Sequence, residues 1–160
     1  MTTTPDRFGV AMASIGSAAI VAGGLVAAVT GPLGLARGSW AAAYLVLVCG
    51  VGQVAMAAAR LLAPTGADAT AALHSAERWG WQQVMTWNLA NALVIAGTLA
   101  AAPWVVDLGG LGCVAALVMA WRQARALPRG VARGAYQAVL ALMVVSIPVG
   151  LVLTHLRNAR

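Results

Sequence analysis

The side chains able to do chemistry in this chain are two histidines, His74 and His155, two cysteines, Cys49 and Cys113, four acids, and a scatter of amides and hydroxyls. Haem ligation is the first chemistry to test, because small helical membrane proteins can hold the group through axial histidine or methionine. Each histidine is a candidate ligand for haem b. The hydropathy pattern, however, places His74 on one side of a bilayer and His155 on the other, separated by about 30 Å of hydrocarbon. One iron in one chain therefore cannot take both.

Metal and nucleophile chemistry lack their parts. His74 and Glu77 are three residues apart on a predicted helix and supply two ligands, whereas a structural zinc needs four. Asp68 and Glu77 fall on one side and Asp107 on the other, so no carboxylate pair is set up for acid–base work. The chain has no GxSxG, and no serine shares a depth with a histidine. Cys49 and Cys113 form no CxxC and differ in predicted depth by roughly 7 Å, which disfavours a disulfide. Each reads as a small apolar filler. No enzyme activity is expected.

The remaining chemistry is hydrogen bonding by neutral groups. Gln53, Asn88 and Asn91 fall inside apolar segments, with Ser17 on an earlier one. At about 1.5 Å rise per residue, Gln53 and Asn91 both sit roughly 13 Å from the same end of their helices, and Ser17 roughly 12 Å. Trp81, Asn88, Asn91 and Thr98 follow helical spacing and share a predicted face. The expected polar layer is thus Ser17, Gln53, Asn88 and Asn91, with Trp87 as an aromatic wall. Its simplest use is interhelical hydrogen bonding, worth about 0.6 kcal/mol per bond. Its other use is to bind a small neutral or lipidic molecule.

These groups must be positioned by membrane-spanning elements. The chain is 160 residues long, 61% hydrophobic and only 9% charged, far below the charge content of a soluble domain. That composition excludes a disordered chain, a disulfide-stapled secreted domain and an ordinary soluble enzyme. Five apolar segments are long enough to cross a bilayer, at 9–30, 39–62, 82–103, 108–124 and 134–155. Backbone polar groups in hydrocarbon have to bond within their own segment, so all five are predicted helices. The expected fold is an all-α integral membrane bundle of about five transmembrane helices in a single domain, residues 1–160. Asp68 is placed to cap a further helix over 69–79, either interfacial or a continuation of the third span. Asp107 is placed to cap the fourth, and Ser146 and Pro148 to bend the fifth.

All ten basic residues are arginines, giving a net charge of +6. They lie between the apolar runs rather than in a stripe, which argues against nucleic acid. Seven (Arg7, Arg60, Arg78, Arg122, Arg125, Arg129, Arg133) fall on one side and three (Arg37, Arg157, Arg160) on the other. The imbalance predicts a cytoplasmic N-terminus and an external C-terminus in a bacterial inner (plasma) membrane. Small residues recur at four-residue spacing in Ala19-Gly23-Ala27, Ala92-Ala96-Ala100 and Gly112-Ala116-Ala120. Such rows let helices approach closely. The leading expectation is an accessory or scaffolding subunit, contacting lipid, other membrane subunits or its own copies. Small-molecule binding and a haem b redox subunit are the alternatives.

Overall fold

In the computed structural model the described residues are 7–61, 69–125 and 130–158, excluding the side chains of 69–79, 132, 151 and 153–158. Every regular element among them is helical. The helices are α1 (Arg7–Thr30), α2 (Gly38–Tyr44), a π-helix (Leu45–Gly52), α3 (Gln53–Leu61), α4 (Ala69–Leu99), α5 (Pro103–Ala124) and α6 (Val131–Asn158). The segment from α2 through the π-helix to α3 is continuous, so the chain forms five long helical segments. Four are long and apolar enough to span a membrane: Arg7–Thr30, Gly38–Leu61, Pro103–Ala124 and Arg133–Gly150. The protein is an all-α membrane bundle.

The predicted third span, 82–103, needs two corrections. Its helix begins at Ala69 rather than at 82, so the helix expected over 69–79 is the continuation of the third span, the second of its two expected forms. Asp68, the predicted cap, lies outside the described residues. α4 is also absent from the four most apolar segments, since Gln82, Gln83, Asn88 and Asn91 dilute its hydropathy.

The second correction concerns where α4 stops. It ends at Leu99, and Pro103 opens α5, with Ala102 as its N-cap. Proline suits a first helical position because its missing N–H has no intrahelical partner there. Residues 104–107, left between the predicted spans 82–103 and 108–124, belong to the start of α5. Asp107 is therefore within that helix, not its cap.

Two matching turns reverse the chain. After α1, Leu35 N–H donates to Thr30 O (3.0 Å) and Gly34 N–H to Gly31 O (3.1 Å), with Gly34 at φ 60°. After α4, Ala102 N–H donates to Gly97 O (2.8 Å) and Ala101 N–H to Thr98 O (3.4 Å), with Ala101 at φ 53°. Both are Schellman endings, which need a left-handed residue and favour glycine there. Alanine pays a steric penalty in that conformation. Ala101→Gly is accordingly expected to raise stability by about 1 kcal/mol. A denaturant titration in mild detergent checks this; a lower midpoint would show that Ala101 is not strained.

The chain divides into two compact units, residues 1–62 and 63–160. In the first, α1 runs antiparallel to the α2–α3 segment. The two backbones nearly touch at glycines. A Cβ built on Gly16 would lie 3.0 Å from Gly50 O, and one on Gly23 would lie 2.9 Å from Ala42 O. Phe8, Met12, Gly16 and Gly23 form the buried face of α1. At the far end the Arg60 guanidinium sits 5.5 Å from the centre of the Phe8 ring. Such a stack keeps the cation at the hairpin's edge while covering the ring.

In the second unit α4 and α5 form an antiparallel hairpin. Val84, Trp87, Ala90, Val94 and Gly97 are buried on α4; Val106, Gly109, Cys113, Ala116, Ala120 and Ala124 on α5. Both sets advance in steps of three and four, the spacing of a packed helix–helix seam. Gly109 faces Ala90 and Val94, and Gly97 faces Val105 and Val106. α6 returns alongside α5 and buries Leu140. It continues through Pro148. Ser146 Oγ donates to Met143 O (2.8 Å), one residue short of Val144, whose carbonyl proline leaves without its donor.

Of the three small-residue rows, Gly112-Ala116-Ala120 packs inward on the seam. In the first row only Gly23 is buried, and Ala92, Ala96 and Ala100 are all exposed.

Candidate functional site

Helix geometry decides which of the predicted polar residues leave the surface. Gln53 opens α3 directly after the π-helix, eight residues before the end of that span. That puts it about 12 Å inside the segment. It is 0% exposed, and neither Oε1 nor Nε2 has a hydrogen-bond partner among the described residues. The wider turns of a π-helix rotate everything after them relative to an unbroken α-helix, and such segments often mark functional positions. Here Gly50, inside the π-helix, meets Gly16 and Ile20 of α1, while Val54 packs beside Gly16. The buried face of α3 then carries Gln53, Met56 and Ala57.

Ser17 does not join a buried layer. It is exposed, because α1 turns Gly16 toward its partner and the next residue is rotated by about 100°.

On α4 the polar residues behave differently. Asn88 Nδ2 donates to Val84 O (2.8 Å), and Asn91 Nδ2 donates to Trp87 O (2.8 Å). Both bonds run one turn back along the same helix. They satisfy a donor on each amide but tie no two helices together. Asn91 is buried, Asn88 partly so, and Trp81 is exposed, so the expected face of 81, 88, 91 and 98 is not the buried one.

The buried polar face of α4 is instead Gln83, Trp87 and Asn91. Gln83 was missed in the sequence, although it precedes Trp87 by four residues and Asn91 by eight, the signature of a shared face. Trp87 is 0% exposed, and its indole Nε1 donates to nothing among the described residues. Gln83 is engaged elsewhere, while its Oε1 accepts no hydrogen bond among them. Gln53 lies in the first unit; Trp87, Asn88 and Asn91 lie in the second.

His74 falls near the start of α4 and His155 near the end of α6, and the side chains of both lie outside the described residues. No group of three or more His, Cys, Asp or Glu is gathered for a metal among the described residues. Cys49 and Cys113 are buried and form no disulfide.

The chemistry available is thus neutral hydrogen bonding in an apolar surround. An amide or indole N–H left without a partner in such a medium costs about 1–3 kcal/mol on protein mutational scales. No protein family, curated protein or solved structure matches this chain.

Proposed function

We propose that this is a non-enzymatic protein of the plasma membrane that binds a small neutral hydrogen-bonding molecule within its helices, at Gln53. The supporting observation is the fully buried Gln53 amide, which has both a donor and an acceptor to offer and bonds neither among the described residues. Interhelical hydrogen bonding would have been the simpler use of such a group. That use requires a partner amide or hydroxyl, and none bonds the Gln53 amide among the described residues. A neutral molecule carrying one acceptor and one donor satisfies Gln53 without placing charge in the bilayer.

Gln53→Leu separates this function from an idle orphan. The full chain and the variant are purified in mild detergent, and small molecules released on denaturation are identified by mass spectrometry. The wild type is expected to release a neutral compound that the variant lacks. If neither releases one and the variant is more stable, by about 1–3 kcal/mol, the amide is only a buried liability and the reading fails.

A second reading has its own support. Ala92 and Ala96 on α4, with Ala100 just past its end, form an exposed small-residue row. A row of this kind admits a second helix at close range. In this reading the protein is an accessory subunit, and the same purification would retain another membrane protein and no small molecule.

A further inference from the structure

A separate feature of the first unit lies at the end of the hairpin beside the 31–37 connection. α1 and α2 are in close contact at Gly23, where an added Cβ would lie 2.9 Å from Ala42 O. Beyond that crossing they leave an open groove of about 580 Å³. Gly24, Ala27 and Thr30 line it from α1, and Ser39, Ala43 and Leu47 from the other wall. A Cβ on Gly24 or on Gly31 would meet nothing within 4 Å, so the groove is unfilled space rather than a packed seam. Its volume lies within the ~300–1,000 Å³ typical of ligand sites.

The surroundings identify what fills it. Leu33 and Leu35 on the connection are 67% and 42% exposed, as expected of a turn set against lipid rather than water. Trp40, itself exposed, stacks on Tyr44 with ring centres 5.3 Å apart. Amphipathic rings of this type settle at the headgroup level. Arg37 is exposed immediately before α2, and residues 31–38 contain no acid. An apolar groove with a cation close by in the chain, Arg37 standing two residues before the lining Ser39, matches a hydrocarbon tail joined to an anionic head. A choline head would instead set a second cation beside Arg37.

We propose that the groove seats an acyl chain of an anionic phospholipid, with the lipid phosphate at Arg37. The Gly24–Ala27–Ala43 surface then gains the dispersion contacts that an empty groove forfeits, and Thr30, whose hydroxyl already donates to Val26 O (2.6 Å), turns no free donor toward the tail.

The test uses the full chain, reconstituted in vesicles of equal phosphatidylglycerol and phosphatidylcholine, extracted gently and weighed intact with its bound lipid. Wild type is expected to retain phosphatidylglycerol in preference to phosphatidylcholine. Gly24→Leu fills the groove at a position with free space and improves helix propensity, so the protein should fold and lose its retained phosphatidylglycerol. Ala27→Leu provides a second block should the first disturb folding. Arg37→Gln should keep a bound lipid but lose the headgroup preference. Wild-type chain without retained lipid, groove-filled chains that fold and retain as much as wild type, or an unchanged preference in Arg37→Gln would each overturn the assignment.

Discussion

Replacing Gly109 with alanine is expected to destabilise the α4–α5 hairpin by about 3 kcal/mol, the upper end of ordinary overpacking, and valine to prevent its assembly. A Cβ at this position would lie 2.7 Å from Ala90 O and 2.8 Å from Val94 N. Both are backbone atoms of α4, so no rotamer change relieves the clash and the helices have to separate. Separation would loosen the whole seam, since Gly97 and Gly112 are equally close to the opposite helix, with added Cβ atoms 2.8 Å from Val106 N and Ala90 Cβ. Gly134→Ala is the control, because nothing lies within 4 Å of its added Cβ. Denaturant midpoints in nanodiscs should fall for Gly109→Ala and stay level or rise slightly for Gly134→Ala. Equal midpoints would mean that the seam is not held by close glycine contact.

Trp87→Ala should cost about 3 kcal/mol or more, the low end of the range for removing a buried tryptophan. In a bilayer the transfer contribution shrinks, because lipid tails are as apolar as the core, but the loss of packing around an emptied site remains. Trp87 is the largest fully buried side chain among the described residues. Trp87→Phe isolates the indole N–H from that bulk. Because Nε1 has no acceptor among the described residues, Phe should retain most of the stability that Ala loses. The two variants are compared by thermal unfolding in one detergent. If Phe were as damaging as Ala, the N–H would have to be making a bond that matters.

Helical class and rough span limits were legible in the residues, because both depend on local quantities. A long apolar run must satisfy its own backbone in hydrocarbon, and helix is the way an isolated segment does so. The predicted 9–30 and 39–62 became 7–30 and 38–61. The end of α4 was not legible, since Ala101 takes a left-handed conformation with no glycine to announce it. Nor did hydropathy reveal the π-helix: its residues are as apolar as an α-helical span, and Gly50 meets a glycine of a different helix.

The candidate site divides in the same way. Gln53, Trp87 and Asn91 stood out as polar or amphipathic groups inside apolar segments. Sequence could not say which of them would be satisfied. Asn88 and Asn91 are short enough to reach the carbonyl one turn back, and they do so. Gln53 is buried with its amide atoms unbonded among the described residues, whereas Ser17, predicted at a similar depth, is exposed. Composition and period determined that this chain folds as membrane helices, because those are sums over neighbours along the chain. Only the tertiary structure decided which faces close on one another, which small-residue row is used and which polar atoms are left over, because each depends on what stands opposite across a helix contact.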